Sequence, residues 1–147
     1  MRNNNWFRPA FVQGTLALGG LFYILAGVAL LVAPVWFLET VGPFAPFNRH
    51  YMGDAGSFSL ALGVGLLLAS RDPLRNRVML IAGLVGTLIH TVNHAYGDLV
   101  LAELSPSATI RDLVPLVIFA VLLVVAYLFT ITPEQPASRN QKAAGIR

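Results

Sequence analysis

The chain has 147 residues, of which 56% are hydrophobic and 12% are charged, with a net charge of +3. A soluble globular domain carries about 25% charged residues, so this chain lacks the charge that a water-exposed surface requires. There is no cysteine, which excludes disulfides, thiolate metal sites and thiol redox chemistry. No basic run is interleaved with aromatic residues, which argues against nucleic acid as a partner. The charges cluster between long uncharged stretches, a pattern typical of helices that cross a lipid bilayer.

The first predicted span covers residues 11–38. The uncharged run around it extends from Pro9 to Leu38, which is longer than the apolar core of about 7–15 residues in a cleaved signal peptide. We therefore expect this segment to be retained. Trp36 lies near its end, where aromatic rings favour the level of the lipid headgroups. Pro34 is expected to bend or end the last turn.

The second and third predicted spans cover residues 49–70 and 78–96. The uncharged part of the second span is short for a hydrocarbon core of about 30 Å, so its helix is expected to begin earlier, with Asn48 as the N-cap. The Asp-Pro pair at 72–73 ends this helix. Gly97 is expected to end the third span as a C-terminal glycine.

The fourth predicted span covers residues 110–131, and the sequence leaves its start open. The Ser-Pro pair at 105–106 has the pattern of an N-cap followed by a first-turn proline. The Thr-x-x-Asp pattern at 109–112 is a second possible cap. The earlier start would place Pro115 inside the helix and kink it.

The predicted fold is all-α, a four-helix transmembrane bundle within residues 1–132 with up-down-up-down topology. Residues 133–147 are polar and contain proline, which predicts a disordered cytoplasmic tail. Four spans place both termini and the loop between spans two and three on one side. Most basic residues lie there, and the positive-inside rule makes that side cytoplasmic. They are Arg2, Arg8, Arg71, Arg75, Arg77, Arg139, Lys142 and Arg147, whereas only Arg49 and Arg111 lie on the other side.

Pairs of small residues spaced four apart recur along the predicted spans. In lipid, small side chains let helix backbones approach and gain dispersion contacts, so these pairs predict a closely packed bundle. The pairs are Ala29 with Ala33, Ser59 with Gly63, Ala61 with Gly65, and Ala82 with Gly86.

All three histidines are predicted to lie at the non-cytoplasmic end of the bundle. His50 and Asp54 are four apart at the start of span two, and His90 and His94 are four apart at the end of span three. This spacing places each pair on one helix face. Spans two and three run antiparallel through a short loop, so the two pairs are expected at one depth, with Asp112 nearby. The predicted ligand-binding residues are His50, Asp54, His90, Asn93, His94 and Asp98.

Several kinds of site fit these residues. His50, Asp54, His90 and His94 suit a divalent transition metal such as zinc, non-haem iron, manganese or copper. A structural interpretation is also open, because the helix dipole favours a histidine near a helix C-terminus and an aspartate near an N-terminus. The same groups suit a ligand or proton site without metal. Bis-imidazole haem ligation by His50 with His90 or His94 is the least favoured interpretation.

The sequence predicts a small integral membrane binding or accessory protein with a His/Asp polar cluster at the outer interface. Its expected partners are the lipid bilayer and either a larger membrane complex or further copies of the same chain. The alternative is a metal-dependent membrane enzyme that uses the cluster, and whether the chain is an enzyme at all stays open, with no catalytic residue assigned. Coupled ion transport is disfavoured, because no charged residue lies at the middle of any span.

Two stretches carry a resemblance. The segment NRHYMGDAG at 48–56, followed by LALG at 60–63, and the segment HTVNH at 90–94 resemble a pattern in small, uncharacterised four-helix bacterial membrane proteins. These proteins are similar in architecture to DoxX-like proteins. The resemblance covers spans two and three. It implies only the fold and no activity. From the four spans we expect a multi-pass location in the bacterial inner (plasma) membrane.

Overall fold

The computed structural model describes residues 7–42, 46–101 and 105–132, and these residues are all-α. The helices are α1 (Phe7–Val32), α2 (Pro34–Thr40), α3 (Arg49–Ala69), α4 (Arg77–Leu99) and α5 (Pro106–Ile131). All except the short α2 are long and apolar enough to cross a membrane, judged by length and composition. The predictions of an all-α fold and of four candidate transmembrane helices are confirmed. The predicted cytoplasmic tail lies outside the described residues.

Local signals account for the first helix boundaries. α1 ends at Val32 and α2 begins at Pro34, so the predicted first span is divided between two helices. Proline fits the first turn of α2, because a backbone N–H at that position has no partner within the helix. The side chain of Asn48 caps α3 as predicted, accepting a hydrogen bond of 3.1 Å from the backbone N–H of Tyr51.

The end of α4 and the start of α5 differ in how well the sequence predicts them. The prediction that Gly97 ends the helix is wrong, because Gly97 is buried inside α4, which continues beyond it. The residue after the helix, Val100, still has right-handed helical backbone angles, so this end needs no left-handed glycine. α5 follows Ser105 and has Pro106 in its first turn, which is the earlier of the two possible starts. Pro115 therefore lies inside the helix.

The four long helices form a ring in which α1 contacts α3 and α5, and α4 also contacts α3 and α5. The aromatic contacts between α1 and α5 show their antiparallel arrangement. Phe11 contacts Phe129 near one end, with ring centroids 5.4 Å apart, and Tyr23 contacts Phe119 further along, at 6.2 Å. Each long helix also contributes one fully buried leucine to the interior, and these residues are Leu16, Leu66, Leu80 and Leu123.

The two ends of the ring differ in charge. The basic end, where α1 and α4 begin and α3 and α5 end, holds Arg8, Arg71, Arg75 and Arg77. The acidic end, where α3 and α5 begin and α4 ends, holds Asp54, Asp98 and Asp112. The fully buried leucines of α3 and α4 lie in the first or last turns at the basic end. The apolar interior is therefore concentrated there, and the polar site described below lies toward the acidic end.

The closest helix contact joins α1 to α3 through glycines spaced seven apart. Gly20 and Gly27 on α1 face Gly63 and Gly56 on α3, so the two helices run antiparallel. A Cβ atom at Gly20 would lie 2.8 Å from the carbonyl oxygen of Gly63, and a Cβ at Gly27 would lie 2.8 Å from the carbonyl oxygen of Gly56. The backbones of α1 and α3 therefore touch at two levels, because no side chain separates them.

The predicted pairs of small residues coincide only partly with the helix contacts. Gly63 belongs to the contact between α1 and α3, and Gly65 faces α4. Ala61, Ala82 and Gly86 are exposed on the outside of the ring. A spacing of four residues along one helix therefore identifies pairs of small residues. It does not predict which of these residues contact a neighbouring helix.

Candidate functional site

A line of polar side chains follows the inner face of α4 toward the acidic end. Thr87, Thr91, His94 and Asp98 are spaced four, three and four apart, which places them on one face of the helix. Thr87 is fully buried and Asp98 is 5% exposed. Polar side chains buried to this degree need hydrogen-bonding or ionic partners, so this face of α4 is a candidate for a functional site.

The threonines of this face are satisfied within the protein. The hydroxyl of Thr87 lies 3.1 Å from the hydroxyl of Tyr23 on α1, so one of the two donates to the other. The hydroxyl of Thr91 donates to the carbonyl oxygen of Thr87 at 2.8 Å, a common arrangement for threonine inside a helix. The Tyr23–Thr87 hydrogen bond joins α1 to α4, whereas the Thr91–Thr87 hydrogen bond lies within α4. Both threonines therefore have a structural role.

The next two polar residues of this face meet a carboxylate from α5. His94, Asp98 and Asp112 form a cluster in which each residue offers one ligand atom, all within 4.8 Å of one another. The Nδ1 atom of His94 lies 2.5 Å from the Oδ2 atom of Asp112, so a hydrogen bond joins the two side chains. Across residues 7–42, 46–101 and 105–132, this is the only group of three or more His, Cys, Asp or Glu side chains so closely placed.

The His94–Asp98–Asp112 cluster is largely shielded from the surroundings. The side chains of His94 and Asp112 are 15% and 19% exposed, and Asp98 is more deeply buried. His90, one turn closer to the middle of α4, lies beside His94 with ring centroids 4.4 Å apart and ring planes tilted by 52°. His90 itself is exposed on the outside of the ring. It therefore covers one side of His94 and connects the cluster to the protein surface.

The His50–Asp54 pair that the sequence predicts on α3 lies elsewhere. His50 and Asp54 face each other, with 3.8 Å between Nε2 and Oδ2, and their side chains are 93% and 61% exposed. Neither belongs to the close group around His94. Asn93 is exposed on α4. Of the predicted ligand-binding residues, the structure thus brings His94 and Asp98 together, with His90 alongside.

Asp112 is the member of the cluster that the predicted ligand set lacks. From the sequence, Asp112 is expected near the predicted ligand set and is a possible capping residue of α5. A better signal was present in the sequence, because His94 and Asp98 are themselves four residues apart and continue the face of Thr87. α5 follows α4 through a short connection. A carboxylate in the first two turns of α5 therefore lies at the same end of the bundle as His94 and Asp98.

The cluster offers one imidazole and two carboxylates, a donor set that zinc, manganese and non-haem iron accept. Two ligand atoms at the usual distance from a tetrahedral ion lie about 3.3–3.5 Å apart, so the 2.5 Å separation of His94 and Asp112 would need to open by about 0.9 Å. Side-chain rotation supplies a shift of this size. Without an ion, the same hydrogen bond joins α4 to α5.

No family model, curated protein or solved structure matches this chain. The resemblance to small four-helix bacterial membrane proteins therefore rests on the two sequence stretches alone. The four long apolar helices are consistent with a small four-span membrane protein.

Proposed function

We propose that this chain is an integral membrane protein that binds a divalent transition-metal ion through His94, Asp98 and Asp112. The observation that supports the proposal is the convergence of these three side chains, shielded from solvent, from two different helices. Two neighbouring carboxylates repel each other when both carry a charge, and a divalent cation between them removes that repulsion. An imidazole at the third position favours a transition metal over calcium or magnesium, which prefer oxygen ligands.

The proposal includes an orientation in the membrane. An up-down-up-down bundle with both termini in the cytoplasm places the basic end inside and the cluster at the outer interface. The four arginines of the basic end support this orientation through the positive-inside rule. A multi-pass location in the bacterial inner membrane follows from the same proposal. A role as an accessory subunit of a larger complex stays a prediction from the sequence.

Metal binding is tested by equilibrium dialysis of the detergent-purified protein against zinc, manganese and iron(II), followed by elemental analysis. We expect about one ion per chain for the wild type. His94→Ala and Asp112→Asn remove ligands, so each variant should lower the affinity at least about tenfold. His50→Ala and Asp54→Asn are matched controls, because they change the same residue types in the exposed pair on α3.

The controls should bind as the wild type does. Loss of the ion from the control variants, but not from the cluster variants, would move the site to α3 and overturn the assignment. A wild type that binds no ion under any of the three conditions would leave the cluster as a hydrogen-bonded contact between α4 and α5. In that case Asp112→Asn would lower thermal stability and nothing else.

A second function, a metal-dependent membrane enzyme, is supported by the number of protein ligands. Three ligands leave at least one coordination position of a tetrahedral ion for water or substrate, as in catalytic zinc sites. His90 lies beside His94, and an imidazole there would be suited to accept a proton. Cobalt(II) substitution tests the open position. A visible spectrum that changes when azide is added indicates an exchangeable site, and an unchanged spectrum indicates a closed, structural one.

A further inference from the structure

A groove between α1 and α5 opens to the outside of the ring, in the half of the molecule nearer the basic end. Its lining is almost entirely apolar, and its volume is about 240 Å³. An apolar cavity of about 150 Å³ is large enough to bind benzene, so the groove has room for a segment of an acyl chain. The lining includes Ala10, Gly14 and Leu18 on α1, which are exposed, and Phe119 and Leu122 on α5.

Aromatic rings flank the groove at both of its ends. Toward the basic end, Phe11 contacts Phe129, with ring centroids 5.4 Å apart. Toward the middle of the bundle, the ring of Phe119 packs on Gly19, where a Cβ atom would overlap it. Gly14 lies between these two levels, and a Cβ atom at Gly14 would meet nothing within 4 Å. The groove is therefore open at Gly14 because this residue has no side chain to fill it.

The groove lies at the depth of the acyl chains in the membrane. α1 has 26 residues and is about 39 Å long at 1.5 Å per residue, which exceeds a hydrocarbon core of about 30 Å. The first turn of α1, which contains Arg8, therefore lies near the headgroups. The Cα atoms of Gly14 and Leu18 lie about 10.5 Å and 16.5 Å beyond the start of the helix at Phe7. These two residues face the acyl chains of the leaflet at the basic end.

Arg8 places a positive charge at the headgroup end of the same interface between α1 and α5. Its guanidinium donates to the carbonyl oxygen of Thr132 at 3.4 Å and lies 5.2 Å from the ring centre of Phe129. Within residues 7–42, 46–101 and 105–132, the only ion pairs are those of His50 and His94, so no carboxylate there neutralises Arg8. A guanidinium has five N–H donors and suits the oxygens of a phosphate.

We propose that the groove between α1 and α5 is a binding site for one anionic phospholipid. An acyl chain lies in the groove, and the headgroup phosphate accepts hydrogen bonds from Arg8. The cation at the interface and the apolar groove beneath it match the order of headgroup and chain in a phospholipid. The headgroup carries a net negative charge, because the arginines of the basic end repel the cation of a zwitterionic headgroup. The site is separate from the His94–Asp98–Asp112 cluster, which lies at the acidic end.

Native mass spectrometry of the detergent-purified protein tests the charge preference of the site. The probes are phosphatidylglycerol and phosphatidylcholine with the same acyl chains. We expect one phosphatidylglycerol per chain to bind about fivefold more tightly than phosphatidylcholine, which is the contribution of one arginine near the membrane surface. Arg8→Gln should remove this preference and Arg8→Lys should keep most of it. Arg75→Gln, at an exposed arginine of the same end, is the matched control and should bind as the wild type does.

A second pair of variants tests the groove itself. Gly14→Leu fills it, whereas Gly86→Leu adds the same side chain at an exposed position of α4 that also has open space around its Cβ. Leucine at position 14 displaces about two methylene groups of the acyl chain, which should weaken the binding of both lipids at least about tenfold. Gly86→Leu should bind both lipids as the wild type does. Both variants should keep the thermal midpoint of unfolding of the wild type in detergent, because neither side chain meets another helix.

Three results would overturn the proposal. Equal affinity of the wild type for the two lipids removes the role of the charge. An Arg75→Gln protein that loses as much phosphatidylglycerol as Arg8→Gln shows general attraction of anionic lipid to the basic end, without a defined site. Full retention of both lipids by a folded Gly14→Leu protein shows that no acyl chain lies in the groove.

Discussion

Replacing Gly63 by alanine perturbs the close backbone contact between α1 and α3. A Cβ atom at this position would lie 2.6 Å from the backbone nitrogen of Ile24 and 2.7 Å from the carbonyl oxygen of Gly20. Ordinary van der Waals contact begins near 3.4 Å, so α1 and α3 must separate by about 0.8 Å. Neither atom can rotate away, because both belong to the backbone of α1.

The separation weakens the dispersion contacts between α1 and α3, and contacts with lipid do not replace them. A gap of about 0.5–1 Å forfeits a quarter to a half of the dispersion energy of each contact, and overpacking of a well-packed interior costs about 1–3 kcal/mol. Alanine gains up to about 1 kcal/mol over glycine in helix propensity, which opposes part of this loss. We therefore expect Gly63→Ala to lower the free energy of unfolding by about 1–2 kcal/mol.

Reversible unfolding in mixed micelles, followed by tryptophan fluorescence, measures this difference. Gly14→Ala and Gly86→Ala are the controls, because a Cβ at either position meets no atom within 4 Å, and both should be neutral or stabilising. Gly20→Ala combined with Gly63→Ala should cost less than the sum of the single variants, since one separation of the helices relieves both clashes. A Gly63→Ala protein as stable as Gly14→Ala would refute the close contact between α1 and α3.

Two further substitutions test single hydrogen bonds by the same unfolding assay. Tyr23→Phe removes the bond to the buried hydroxyl of Thr87 and should cost about 0.5–1.5 kcal/mol, whereas Tyr96→Phe, at an exposed side chain, should be neutral. Asn48→Ala removes the side-chain cap of α3 and should cost about 1 kcal/mol, while Ser105→Ala, at a cap position without such a bond, should cost less. Equal effects within either pair would show that the hydrogen bond contributes nothing measurable.

The four candidate spans were predictable because lipid excludes charge, and the uncharged stretches therefore mark the helices directly. Pro34 and Asn48 act through local chemistry and also appear where the sequence places them. Gly97 shows the limit of such signals. The sequence alone does not distinguish a glycine that is buried inside a helix from a glycine that ends one. Only the neighbouring helices decide between the two.

The depth of the site was predictable, but the rotation of each helix was not. Antiparallel spans place His50 and His94 at the same end of the bundle, and this much follows from counting residues. Which face of α3 turns inward depends on its contact with α1, which the glycines Gly56 and Gly63 determine. Because of that contact, His50 points away from the bundle. The partner of His94 is therefore Asp112 on α5. The relevant glycine spacing is seven residues, matched across two helices, and a search along one helix at spacing four does not reveal it.

The ring arrangement has a consequence for the order in which the protein is assembled. A growing chain can join α1 to α3 as soon as α3 has entered the membrane, since the glycine contact needs no later segment. α4 then brings His94 and Asp98, but Asp112 arrives only with α5, which also closes the ring against α1. A chain that stops before α5 therefore has two of the three cluster residues and no complete site. The cluster is therefore complete only after α5 has packed against α4, because α5 carries Asp112.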